Sequence, residues 1–266
     1  MEVASAKVVN RDEITGAALS MFAGDSVEIP ENEVLADEVV GKDEAYELPV
    51  VDMAKLLDPD SSAMETEKLG SACRHWGFFQ LTNHGVDEAV AQLIKDCTVE
   101  FFSLPLDIKN RVSVLGKGAG LEGYGHHYSR GRGEKLDWAE GLILITQPVQ
   151  ERNMELWPDN PPTFRDALAT YSVEMTKLAK RLLGFMAADV GDEKGEHPDK
   201  VMGITPHTDG LGLTLLLHVD DTPGLQIKKD GRWFPVRPLP GAILINIGDI
   251  LDIMTNGAYK RAWSTG

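Results

Sequence analysis

The residues best placed to do chemistry lie in Gly203-Ile204-Thr205-Pro206-His207-Thr208-Asp209-Gly210. Side chains in extended backbone repeat with period two, so the imidazole of His207 and the carboxylate of Asp209 leave the chain on the same side. One metal ion could be held by both. Mixed N/O ligation of this kind, completed by a second imidazole, is the 2-His-1-carboxylate set that holds Fe(II) and leaves positions open for O₂ and a co-substrate. The same residues also read as a turn, with Asp209 bonding nearby backbone, Gly210 accepting positive φ and Pro206 suiting a strand edge. The pair alone does not decide between the two.

The other histidines compete for the role of second imidazole. His126 and His127 sit in Gly123-Tyr124-Gly125-His126-His127-Tyr128, inside a Gly-rich stretch from Gly116 to Gly133. Adjacent residues in extended backbone face opposite ways, so these two make poor joint ligands, and a solvated loop that could line a substrate pocket is the simpler reading. His218 follows Leu215-Leu216-Leu217 in an apolar run, which suits a hydrogen-bonded structural histidine. His84 lies in the turn Asn83-His84-Gly85.

The elements that must position these residues change character along the chain. Leu48-Pro49-Val50-Val51-Asp52 reads as a first strand, Met64 to His75 as a helix, and Trp76-Gly77-Phe78-Phe79-Gln80-Leu81 as a second strand. From Asp87, Val90, Leu93, Ile94, Cys97 and Phe101 recur at three- and four-residue spacing, predicting a core-facing helix that Pro105 ends. Asp137 to Ile145 reads as a strand. Phe164, Leu168, Tyr171, Met175, Leu178, Leu182 and Phe185 trace a long amphipathic helix ending near Gly191. Beyond it, Val201–Thr205, Leu213–Val219, Leu225–Ile227, Trp233–Val236 and Ala242–Ile247 are short β-rich runs between Gly, Pro and Asp turns, the pattern of a β-sandwich or jelly roll.

Composition bounds the function. A chain of 266 residues with 42% hydrophobic residues can build a sizeable core. The formal charge of −16 argues against a nucleic-acid partner, and no basic face is visible. No run of about 18 apolar residues and no signal-peptide pattern is present, so no membrane association and a cytoplasmic location are expected. Cys73 and Cys97 sit in apolar stretches as small hydrophobes, without a disulfide framework. The acidic residues before Pro49 read as a solvated leader. No phosphate-binding Gly-x-x-x-x-Gly-Lys occurs, which removes nucleotide cofactors.

Taken together, several motifs resemble those of plant 2-oxoglutarate- and Fe(II)-dependent dioxygenases, the isopenicillin-N-synthase-like group with members acting on specialised metabolites and hormones. Leu48 to Asp52, Trp76 to Val86, Phe101-Phe102-Ser103-Leu104-Pro105 and Lys135-Leu136-Asp137-Trp138 are similar to the family's N-terminal module. Thr205 to Gly210 is similar to its iron motif. Asp221 to Gln226, Gly231-Arg232-Trp233, Pro240 to Asp249 and Thr255-Asn256-Gly257-Ala258-Tyr259-Lys260 resemble the strands and turns that follow. The resemblance implies an α+β fold, a double-stranded β-helix or jelly roll with an N-terminal helical and β module. It divides the chain into an acidic leader (1–47), an N-terminal dioxygenase module (48–160), the long helix and its junction (161–196) and a jelly-roll module (197–266).

By that resemblance His207 and Asp209 are catalytic iron ligands, Fe(II) is the metal, 2-oxoglutarate the co-substrate and ascorbate the reductant. Tyr124, His126, His127 and Leu225 are pocket residues. A monomer that hydroxylates, desaturates or demethylates a small plant metabolite is implied. The sequence departs from the pattern at three places. Ser264 falls about where the family has its second metal His, and none of the seven histidines lies after His218. The family's Arg-x-Ser pair for the far carboxylate of 2-oxoglutarate does not occur, and a strand carrying Asn-Tyr-Tyr-Pro-Pro is missing between the long helix and His207. These departures predict an incomplete roll, as in a truncated isoform, with impaired turnover. The alternatives are an inactive relative that binds a small molecule or a protein, and a non-functional splice fragment.

Overall fold

The computed structural model describes residues 47–113, 122–125, 141–190, 209, 212–219 and 225–265. The element order begins β1 (Val50–Asp52), α1 (Met53–Leu57), α2 (Ser62–His75), β2 (Phe78–Thr82), α3 (Glu88–Phe102) and α4 (Leu106–Lys109). It continues with β3 (Gly123–Gly125), β4 (Gly141–Ile143), α5 (Phe164–Val190), β5 (Leu213–Leu216) and β6 (Gln226–Lys229). The last elements are β7 (Arg232–Pro235), β8 (Ile243–Ile247), α6 (Asp249–Met254) and β9 (Trp263–Thr265). The expected helices at 64–75, from Asp87 and from Phe164 are α2, α3 and α5. The expected run Val201–Thr205, His126 and His127, and His207 itself lie outside the described residues, whereas Gly123–Gly125 of the expected Gly-rich loop forms strand β3. Strand β9 is an addition, because Arg261 to Gly266 carries no β-run in the sequence reading.

The described residues divide into two compact units, one within 87–175 and the other within 47–86 and 176–265. In the first, Asp87 caps α3, its carboxylate accepting from the amide of Ala89 at 2.8 Å. The helix stripe then buries Ile94, Cys97, Phe101 and Phe102. Phe101 meets Phe102 edge-on at 5.2 Å and Phe164 of α5 at 5.6 Å, so the aromatic residues of two helices form one core. Strands β3 and β4 pair antiparallel, Tyr124 opposite Leu142.

The second unit holds two sheets, one ordered β1-β2-β8-β5 and the other β7-β6-β9. All five residues of β8, Ile-Leu-Ile-Asn-Ile, are buried, as expected of a central strand covered on both faces. Period two separates Ile243, Ile245 and Ile247 from Leu244 and Asn246. Leu244 packs in one cluster with Phe78 of β2, Ile227 of β6, Phe234 of β7 and Ala262, so this face of β8 looks across to the other sheet. The two sheets enclose this cluster between them, as in a jelly roll.

Loops of this unit are fastened by side chains. Asp52 accepts from the amides of Ala54 and Lys55 through Oδ1 and from Asn83 Nδ2 through Oδ2, tying the β1–α1 junction to the turn after β2. His84 accepts from the amide of Val86 at Nδ1, which makes Nε2 the protonated nitrogen that donates to the Gly241 carbonyl at 2.9 Å. The buried Gln80 donates from Nε2 to the carbonyl of Arg237 and accepts the amide of Leu239 at Oε1, stitching the β7–β8 connection to β2. Gly77 has φ +64°, and the carbonyl of Lys260 occupies the space a Cβ would take there. Glycine at this position is therefore required by both conformation and room.

Candidate active site

Asp209 lies just upstream of β5 and is held by three elements. Its backbone carbonyl accepts from the amide of Asp249 at 2.7 Å, at the start of α6. Its carboxylate Oδ2 accepts from Thr214 Oγ1 on β5 and from Asn246 Nδ2 on β8, the latter at 2.8 Å. Thr214 and Asn246 are cross-strand partners, directly opposite each other in the antiparallel β5–β8 register. Their side chains consequently share one face and reach the same acceptor. That face is the one carrying Leu244, so the Asp209 carboxylate is gathered at the interior side of the four-stranded sheet.

Ser264 occupies the facing sheet. In β9 it stands opposite Ile227 and is buried, as is Ala262 two residues before it, whereas Trp263 between them is 45% exposed. Ala262 and Ile227 belong to the cluster between the sheets, so Ser264 points to the interior as well. The position therefore faces the interior and presents a neutral hydroxyl. A carboxylate and an imidazole suit Fe(II), and a hydroxyl is a poor addition to them. Among the described residues no group of three His, Cys, Asp or Glu side chains could hold a metal.

The remaining sequence candidates are distributed differently. Leu225 is half-buried and packs against the cluster between the sheets. Tyr124, in the other unit, is 3% exposed, with its ring 6.0 Å from Phe101 and 6.4 Å from Phe102 and the Lys109 ammonium 5.4 Å from its centre. Those contacts make it part of the aromatic core. Thr214 and Asn246 were not singled out by sequence reasoning. The signal was present in Asn246, the lone polar residue within the apolar run Ala242–Ile247.

A second, partly buried polar cluster serves the fold. Asp189, near the end of α5, pairs with Arg74 of α2 through Oδ2, and the same oxygen lies 2.9 Å from the hydroxyl of Tyr259. That hydroxyl is also 3.0 Å from the carbonyl of Met186. Tyr259 is fully buried, and burial, with Cys73 and Asp189 adding to it, pushes its hydroxyl well above the usual phenol range. The neighbouring Cys73 thiol is pushed up to about 12, by burial first and the Asp189 carboxylate second, with Arg74 opposing. A thiol so protected stays protonated and is not a nucleophile at neutral pH.

Comparison with known proteins gives concordant matches. Residues 48–160 match the family described as non-haem dioxygenase in morphine synthesis N-terminal, and residues 192–264 match the 2OG-Fe(II) oxygenase superfamily. The chain is 43% identical over 244 residues to S-norcoclaurine synthase 1 of Coptis japonica, covering 84% of this chain and 69% of that protein. It is 44% identical to 2-oxoglutarate-dependent dioxygenase 11 of Oryza sativa subsp. japonica, covering 80% of this chain and 65% of the relative. Codeine O-demethylase of Papaver somniferum is 36% identical with the same coverage, 80% and 65%. Among solved structures, JOX2 in complex with 2OG, Fe and JA superposes with a TM-score of 0.69 at 30% identity, over 82% of this chain and 69% of that one. The chain thus spans roughly two thirds of the length of these proteins.

Proposed function

Because this chain belongs to the 2-oxoglutarate- and Fe(II)-dependent oxygenases, in their plant dioxygenase branch, we propose that it binds Fe(II) through His207 and Asp209 and oxidises a small organic metabolite. The observation that carries this reading is the Asp209 carboxylate, set on the interior face of the sheet by Thr214 and Asn246. In the family Fe(II) and 2-oxoglutarate together supply the oxidising chemistry, with O₂ as the second co-substrate. The residues of this chain supply position: Asp209 an anionic oxygen for the metal, His207 a neutral nitrogen, and Leu225 an apolar wall. The relatives include a codeine O-demethylase and an oxoglutarate-dependent flavonoid 7-O-demethylase, so hydroxylation or O-demethylation of a polycyclic aromatic compound is the chemistry proposed.

Ser264 tempers the proposed turnover. With a hydroxyl in place of the second imidazole, His207 and Asp209 would be the two strong ligands offered to iron, and the metal would be held more weakly. This supports the companion reading of a protein that binds the metabolite and turns it over slowly. An anaerobic titration with Fe(II) and 2-oxoglutarate tests both, followed by the visible metal-to-ligand charge-transfer band and by succinate released on admitting O₂. A band that disappears in Asp209→Ala, with succinate formed, supports the oxygenase. Absence of any band at saturating metal and 2-oxoglutarate overturns it and leaves binding alone.

A further inference from the structure

We propose that the acidic segment 35–46 of this chain docks on the outward face of the β7-β6-β9 sheet, its carboxylates meeting Lys228 and Arg232 and its apolar residues covering Trp263. The inference is independent of the metal reading. Ile227, Phe234 and Ser264 point into the core between the sheets, so their neighbours Lys228, Trp233 and Trp263 stand on the opposite face, in one cross-strand row. The Lys228 ammonium lies 5.5 Å from the centre of the Trp233 ring. On the other side of Lys228, Trp263 is 45% exposed. An indole left in water beside a cation makes two demands, apolar cover and negative charge.

The charge of the β6–β7 hairpin points the same way. Asp230 and Gly231 form its turn, both at positive φ, and set Lys229 directly opposite Arg232, with Lys228 one residue back. Like charges facing each other across a ladder repel. Residues 226–235 thus hold three cations, Lys228, Lys229 and Arg232, and one carboxylate, Asp230, in a chain of formal charge −16. Lys229 is turned toward α2: its ammonium donates to the His75 carbonyl at 2.6 Å and lies 3.5 Å from Asp230 and 5.6 Å from the centre of the Trp76 ring. Lys228 and Arg232 are the exposed cations.

The segment that meets both demands is tethered beside them. Leu48 packs in the same cluster as Ile227 of β6 and Phe234 of β7, and Glu47 before it is exposed, so residues 35–46 join the fold next to this hairpin. Their sequence, Leu-Ala-Asp-Glu-Val-Val-Gly-Lys-Asp-Glu-Ala-Tyr, interleaves four carboxylates and one lysine with Leu35, Val39, Val40 and Tyr46. Three strands are about 10 Å across and twelve extended residues reach about 40 Å, so the whole face is within range. A tether this short holds the acids at roughly millimolar effective concentration, which suffices for ion pairs too weak to capture a free partner.

Cross-linking of the full chain with a carbodiimide tests this, since the reagent adds no spacer and joins a lysine amine to a carboxylate only where the two touch. Peptides from the purified monomer are read by mass spectrometry. The expected product is an amide between Lys228 and Asp37, Glu38, Asp43 or Glu44 of the same chain. Its yield should fall several-fold in about 1 M salt, where screening acts within about 3 Å. It should fall likewise in Arg232→Gln, which keeps Lys228 and every carboxylate of the segment. In a charge exchange, Asp43→Lys and Glu44→Lys combined with Lys228→Glu and Arg232→Glu, the bond should return with amine and carboxylate reversed. Lys228 joined only to acids outside 35–46, or to none, overturns the proposal. A yield indifferent to salt and to Arg232→Gln overturns it too, because tethering alone would explain the contact. Bonds that form only between chains also overturn it and give the face to a second copy.

Discussion

Asp189 and Asp209 each accept two hydrogen bonds at Oδ2 in the same unit, the first from Arg74 and Tyr259, the second from Thr214 and Asn246. The difference lies in the donors. A guanidinium cancels the charge of Asp189 and fastens the end of α5 to α2, so that carboxylate is spent on the fold. At Asp209 Oδ2 the donors are a hydroxyl and an amide, which orient that oxygen without themselves contributing an opposite charge, as the proposed ligand role asks of them. The two Oδ2 atoms are thus told apart by whether these donors are charged.

Four experiments sharpen or break that comparison. The largest effect is expected at Gly77, whose carbonyl accepts the amide of Ile247 next to Asn246, while Cys73, near Asp189, accepts the amide of Lys260. Gly77→Ala forces a side chain into positive φ and against the Lys260 carbonyl, and should cost about 4 kcal/mol in urea unfolding. Next, Asp189→Ala leaves Arg74 without this acceptor and Tyr259 with the Met186 carbonyl alone, and should cost about 2 kcal/mol, with Co(II) affinity of the folded protein unchanged. A loss of metal binding there would mean that the two carboxylates are not separable.

Third comes pH. An unfolded Cys73 loses its proton near 9.0, whereas the folded thiol keeps it to about 12. Between those values the unfolded chain binds fewer protons, so stability should fall as pH rises, by about 1.4 kcal/mol per unit, and be unaffected by this group below the window. Urea melts across the range, with Cys73→Ala flattening the slope, check it. The smallest effect is expected from Ser264→His, which places an imidazole on the inward face of β9 and should tighten Co(II) about tenfold, roughly 1.4 kcal/mol. Unchanged affinity would show that β9 does not complete the site.

The sequence made the amphipathic elements legible. The stripes of α3 and α5 and the capping Asp87 carried enough periodic signal to be placed within a few residues. Strand β9 did not, because three residues, Trp-Ser-Thr, have no readable period and owe their conformation to pairing with β6. Thr214 and Asn246 stayed hidden for a related reason. Their joint role depends on the β5–β8 register, a contact between residues distant in the chain. Asp209 could be singled out as a candidate from its spacing to His207, whereas the residues that orient it could not.

Gln80 has a consequence for motion. The connection it holds reads Arg237-Pro238-Leu239-Pro240, in which proline removes every second amide and leaves Leu239 as the one N–H between two rings. Gln80 takes that N–H and returns a donor to Arg237, so its carboxamide behaves as the peptide group of an absent neighbouring strand. Although Leu239 is 40% exposed, its amide should exchange with deuterium only as often as β2 itself opens, making this link a reporter on the lifetime of the sheet.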